Sequence, residues 1–279
     1  MLSKLFRYDM KALFRMMLPL TLSVLGTTLA GTAAVRILVE MGKNSHRMDN
    51  PFTGLFMASM GMLVFAAVMA LVAYAVIAAV FIFYRYYKNL FTDEGYLTFT
   101  LPVSPGQILF SKSAAGILWS LIAFVVIVFC SVVMILVGGG VDLGDVVDEI
   151  TQIFRSLWGY MGLDSVLLAI ESILGMLLSL VSSLLLCYLS ITLGSTVVRR
   201  HKVMASIGIY LGIRFGLSIV SSMIQLLPSI YMASTAVGMD NTNWMLHLTF
   251  GINLLISAGV AVGSYLISRS ILTRRLNLT

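Results

Sequence analysis

Leu55–Tyr84 reads LFMASMGMLVFAAVMALVAYAVIAAVFIFY, about 30 residues without a charge. It is followed by Arg85–Lys112, RYYKNLFTDEGYLTFTLPVSPGQILFSK, and then by 29 further uncharged residues, Ser113–Val141. About 20 apolar residues cross the roughly 30 Å of bilayer hydrocarbon as a helix. Working outward, six regions meet or approach that length: 16–38, 55–84, 112–137, 168–197, 203–227 and 246–270. Charged residues are only 11% of the chain and mean hydropathy is +0.99; a soluble domain carries about 25% charged residues, so a soluble fold is excluded. The runs do not alternate in polarity as barrel strands would. The expected fold is an all-α polytopic membrane protein, one transmembrane domain over 1–279.

Orientation follows from charge. Thirteen of the 18 Lys and Arg residues flank the spans on one side: Lys4, Arg7, Lys11, Arg15; Arg85, Lys88, Lys112; Arg199, Arg200, Lys202; Arg269, Arg274 and Arg275. The opposite loops hold Arg36, Lys43, Arg47 and Arg155, and Arg214 falls within a span. Cationic loops stay cytoplasmic, which puts both termini in the cytoplasm, as an even number of spans also requires. The net charge of +6 is accounted for by this flanking, so it gives no reason to expect a nucleic-acid partner.

Residues 1–15 space Lys4, Arg7, Lys11 and Arg15 along one helical face, with Leu2, Leu5, Phe6, Met10, Leu13 and Phe14 largely opposite. This predicts an amphipathic helix in the cytoplasmic interface; a frayed basic tail is the plainer alternative. Pro19 is expected in the first turns of span one, where its missing N–H costs least. The apolar run is too long for a signal peptide, so the first span is read as retained.

Gly138–Gly140 should end span three. Ile150, Ile153, Phe154, Leu157 and Met161 then recur at helical spacing, predicting an amphipathic surface helix. Asp142, Asp145, Asp148 and Glu149 fit a solvated helix start better than a calcium loop, because the alternating ligand pattern is missing. Pro228 should end or bend span five, and 229–245 reads as a pair of interfacial or re-entrant turns.

Chemistry for catalysis is not legible. There is no G-x-x-x-x-G-K-[ST] and no H-E-x-x-H. His46, His201 and His247 are far apart and read as ordinary polar residues at loops or span ends. Cys130 and Cys187 sit in apolar runs as small hydrophobes. Span serines, such as Ser179, Ser182 and Ser218, lack a nearby base and suit close helix packing. No enzyme activity and no cofactor are expected in this chain. Ionised groups inside hydrocarbon are costly and often functional, so two residues are candidate pathway or intramembrane polar groups. Arg214, 12 residues after Lys202, lies about 18 Å inward, facing a cavity or subunit seam, or snorkelling as a structural arginine. Glu171, seven residues after Asp164, lies about 10 Å from the external side, and is read as interfacial; the different depths argue against pairing the two.

In the 85–112 stretch, Thr92-Asp93-Glu94 suits the start of a short cytoplasmic helix, ended by Pro102. Ser104 fits an N-cap, Pro105 the first helical position and Gln107 the third position of a capping box leading into span three. FTDEGYLTFTLPVSPGQILFSK resembles the first cytoplasmic loop of ATP-binding cassette permeases of the type-two exporter family. Glu94, Gly95, Leu97, Leu101, Pro102, Ser104, Ile108, Leu109 and Lys112 carry the likeness, and span number and loop sizes extend it over essentially the whole chain. The chain departs in having no fused ATPase domain, no large external domain, and Pro105-Gly106 where basic or polar residues are common.

The resemblance implies a permease in the bacterial plasma (inner) membrane. It would have an N-terminal connecting helix and a coupling helix between spans two and three. Asp93, Glu94, Tyr96, Leu97, Phe99 and Leu101 would contact a separate nucleotide-binding ATPase subunit, which holds the ATP and magnesium. A second permease subunit, identical or different, would complete the assembly. A secondary transporter and a non-transporting membrane scaffold or sensor are the alternative readings; the cargo is not written in the sequence.

Overall fold

A computed structural model gives the fold, and it describes residues 2–43, 51–92, 95, 103–198, 200–234 and 239–274. Every regular element among these residues is helical: α1 Leu2–Lys43, α2 Pro51–Phe91, α3 Pro105–Val133 continuing into a π turn at Met134–Gly138, α4 Leu143–Met161, α5 Leu163–Val197, α6 Lys202–Ser234 and α7 Met239–Arg274. Six of them, all but α4, are long and apolar enough to cross a membrane, with mean hydropathy of 1.6 to 3.2 over their most apolar windows. The protein is a multi-pass helical membrane protein.

The helices are longer than their apolar cores. α1 has 42 residues and so measures about 63 Å, twice the hydrocarbon thickness. It runs without a break through Pro19, so residues 2–15 are helical and continuous with the first span. Lys4, Arg7, Lys11 and Arg15 do share the exposed side of that extension, while Leu13 and Met17 are buried. Likewise α2 continues past Tyr84 to Phe91 because Tyr86, Asn89 and Leu90 find buried positions. α6 runs through Pro228 to Ser234 and α7 begins at Met239. Re-entrant turns are therefore not built from 228–234 or 239–245. A proline is tolerated inside a membrane helix because only one backbone bond is lost while the flanking turns hold. The expected coupling helix, begun at Thr92-Asp93-Glu94 and ended by Pro102, lies outside the described residues apart from Thr92 and Gly95.

The chain forms two compact units. The larger comprises 1–6, 85–117 and 154–279, and the smaller 7–84 and 118–153. In the smaller unit, α1, α2 and the outer part of α3 meet around glycines. A Cβ on Gly31 would stand 2.4 Å from the Ala67 Cβ, and one on Gly138 would stand 2.9 Å from the Val35 Cβ. The Phe14 and Trp119 rings pack with centroids 6.1 Å apart, and Tyr74 and Cys130 are buried. Gly140 closes the π turn with φ +64, a conformation costly for other residues.

In the larger unit α5, α6 and α7 form a three-helix group. α5 and α6 are an antiparallel hairpin, fixed by Gly194 against the Ser206 backbone nitrogen (2.7 Å from a Cβ) at one end and by the Tyr210 hydroxyl donating to Cys187 Sγ farther along. α7 pairs antiparallel with α6 through Gln225 and Asn253 (3.2 Å). It follows that α5 and α7 run parallel, and α7 packs against α5 more extensively than against α6.

Alanine normally replaces a helical glycine with a gain of up to about 1 kcal/mol. The expected outcome here is position-dependent. Gly31→Ala and Gly194→Ala should each lose about 1–3 kcal/mol through overpacking, whereas Gly212→Ala, which meets nothing within 4 Å, should be neutral or stabilising. Thermal unfolding of the purified chain in mild detergent measures all three.

Candidate functional site

The polar loop between α2 and α3 is the candidate site, and its two roots are tied to α5 and α7. On the incoming side the Tyr86 ring stacks on the Tyr188 ring, with centroids 3.9 Å apart and planes within 7°. The Thr192 hydroxyl donates to the Tyr188 carbonyl at 2.7 Å. Its proton being used there, the Tyr86 hydroxyl donates to Thr192 Oγ1 at 2.9 Å. Both side chains are almost fully buried, where an unpaired hydroxyl would be costly. Beyond α2, Gly95 N–H closes a turn on the Thr92 carbonyl at 2.7 Å. A Cβ at Gly95 would stand 2.6 Å from the Leu90 carbonyl oxygen, so no larger residue fits that turn unchanged.

On the outgoing side the predicted capping box is present. Gln107 N–H donates to Ser104 Oγ (3.4 Å), and Ser104 N–H donates to Gln107 Oε1 (3.3 Å). Pro105 opens α3, seven residues before the expected start of the span. Three contacts then hold this turn. The Tyr265 hydroxyl donates to the Gly106 carbonyl at 3.5 Å. The Arg269 side chain lies so close that a Cβ on Gly106 would stand 3.2 Å from its Nε. Six residues farther along α3, the Tyr188 hydroxyl donates to the Lys112 carbonyl at 3.4 Å. Ser111, Lys112 and Ser113 are all buried. Tyr188 thus touches both roots of the loop: its ring meets α2 and its hydroxyl meets α3.

Asp93, Glu94, Tyr96, Leu97, Phe99 and Leu101 lie outside the described residues. Arg214 is exposed on α6 and its charge acts on Cys187 and Tyr210. Glu171 is not a solitary interfacial carboxylate. Its Oε2 lies 2.9 Å from His247 Nδ1. The histidine was passed over because the last span was expected to begin at 246, which left His247 at its edge. With α7 beginning at Met239, His247 stands as deep along α7 as Glu171 along α5. Tyr86, Tyr188 and Thr192 were also missed: within apolar runs an aromatic or threonine looks like any core residue until its partner is known.

No family model matches the sequence, and no curated protein or solved structure matches it.

Thr192→Val strands the Tyr86 hydroxyl and should cost about 1–3 kcal/mol, whereas Tyr86→Phe removes donor and penalty together and should cost about 0.5–1.5 kcal/mol. The double variant should cost less than the sum. Unfolding of the three variants in detergent checks the order.

Proposed function

We propose that this chain is the membrane-spanning permease subunit of an ATP-binding cassette exporter. A separate ATPase subunit docks on residues 93–101, and a second permease subunit completes the transporter. The observation that carries this reading is the anchoring of both loop roots to the same ends of α5 and α7, through Tyr86–Tyr188–Thr192 on one side and Gly106–Tyr265 with Lys112–Tyr188 on the other. A loop tied in this way transmits displacement. A partner whose surface changes with nucleotide state does work on the membrane helices only through contacts that differ between those states. Packed side chains and directional hydrogen bonds at the roots pass such a displacement on without slack.

The charge placement supports a cytoplasmic face for this loop and both ends of the chain, and the resemblance implies a bacterial plasma membrane. Arg214 then belongs near the middle of the bilayer, on the exposed side of α6, where a second subunit or a pathway would relieve its cost. The chain itself supplies no nucleotide chemistry; ATP and magnesium belong to the partner.

A secondary transporter is the second reading, and the Glu171–His247 pair favours it, because a titratable pair at membrane depth is what ion coupling uses. A tagged chain purified from its native membrane in mild detergent separates the two. The expected result is an ATPase that co-purifies with the native chain and is lost or uncoupled with Glu94→Ala and Tyr96→Ala. Recovery of the native chain without any ATPase would sink the exporter reading.

A further inference from the structure

α4, the helix between α3 and α5, is divided lengthwise by polarity. Every Val, Leu, Ile and Met from Leu143 to Met161, with Phe154 and Trp158, falls within one arc of about 140° on a helix of 3.6 residues per turn. Asp145, Asp148, Glu149, Gln152 and Arg155 occupy the opposite side. The apolar arc is not spent on packing within the chain: Leu143 is 67% exposed, Ile150 60%, Phe154 53% and Leu157 45%. The Phe154 and Trp158 rings stack along the same arc, with centroids 6.4 Å apart. In water an apolar face of this length would be hidden against a core.

The chain itself limits what can reach this face. Four residues separate α4 from the π turn of α3, and Gly162 alone separates it from α5. Each connection contains a glycine at positive φ, Gly140 at +64 and Gly162 at +56, a conformation that lets the backbone turn sharply. Both neighbours are long and apolar enough to span the membrane. α4, with 19 residues and so about 28 Å long, is thereby tethered at both ends to the membrane face opposite the polar loop. Val137 and Val141 before it, and Leu163 and Leu167 after it, are exposed as well, so the apolar arc continues the surface that the flanking spans offer to acyl chains. A protein seam brings hydrogen-bonding groups along with apolar ones, and the middle of this arc offers none. Trp158 stands at one edge of the arc, on the same edge as Thr151, where an indole N–H meets headgroups. The polar side carries three acids and one arginine, so burial of apolar surface, and not attraction to anionic lipid, supplies the affinity.

We propose that α4 is a lipid-docking helix: it lies in the plane of the leaflet opposite the polar loop, with Leu143, Val147, Ile150, Phe154 and Leu157 in the acyl boundary, and its partner is zwitterionic lipid. The contact sets the height at which α3 ends and α5 begins. Such a surface needs no ATPase and no second subunit, so its test stands apart from the co-purification above.

The test uses the full chain in nanodiscs of phosphatidylcholine. In a background with Cys130→Ala and Cys187→Ala, a nitroxide is attached to Val147→Cys, Ile150→Cys, Phe154→Cys or Leu157→Cys on the apolar arc, or to Asp148→Cys, Gln152→Cys or Arg155→Cys opposite. Collisions with oxygen, which concentrates among acyl chains, should exceed those with a water-soluble nickel chelate severalfold at the apolar positions, and the order should reverse at the polar ones. Nickel collisions that dominate at every position would put the helix in water and overturn the proposal. Low rates with both reagents at the apolar positions would put protein, such as a second copy of the chain, over the face, and would overturn it equally. Should the cysteine-free background fail to fold, the native chain and Trp158→Phe suffice, in nanodiscs whose lipid carries bromine high on its acyl chains. The bromine-quenched tryptophan intensity should then fall on losing Trp158, and an unchanged intensity overturns the proposal.

Discussion

Every part of this molecule answers to one constraint: in hydrocarbon there is no water to accept or donate a hydrogen bond. Backbone groups must pair within their own helix, and hydroxyls must do the same or find a partner across a seam. Most choose the first course. Thr21, Thr28, Thr32, Ser190 and Ser206 all return their hydroxyl protons to carbonyls of the preceding turn. The few polar groups that reach across to another helix instead are therefore informative. Among the described residues of the larger unit they include Tyr86 with Thr192, Tyr188 with Lys112, Tyr265 with Gly106, Tyr210 with Cys187, Gln225 with Asn253 and Glu171 with His247.

Most of these cross-links fall into two sets on the same pair of helices. The loop-side set joins α5 and α7 to the roots of the polar loop. The opposite set joins α5 directly to α7 through a carboxylate and an imidazole. Because α5 and α7 are parallel and each carries a member of both sets, a displacement along either helix is felt at both ends. Helices are stiff along their axes and their packed interfaces have few intermediate arrangements. A force applied at Tyr188 has no soft element in which to dissipate before it reaches Glu171, seventeen residues along the same helix.

What could be read in the sequence was what is local. Six spans follow from unbroken apolar length, and the Ser104–Gln107 cap follows from four adjacent residues whose geometry is set by the chain itself. What could not be read depends on partners or on boundaries. Pro228 signals a stop in water, where a broken turn is readily hydrated; in lipid the flanking turns persist and the helix runs on to Ser234. Moving the start of the last helix from 246 to Met239 turns His247 from an edge residue into a half-buried partner of Glu171. The Tyr86–Thr192 bond spans 106 residues of sequence, and neither residue type announces it. The residues singled out for partner contact, Asp93 to Leu101, gain no geometry from the fold, since they lie outside the described residues.

The short connection between α5 and α6 also has a consequence for biogenesis. α6 carries Arg214, Gln225 and Pro228, and its most apolar window has a mean hydropathy of 1.8, against 3.2 for α3. An arginine near the centre of a lone inserting helix costs about 2.5–3.5 kcal/mol. His201, with φ 57, turns the chain sharply, and Gly194 lets α6 lie directly against α5. A helix this marginal inserts more readily as the second limb of a hairpin with a more apolar one than it would alone.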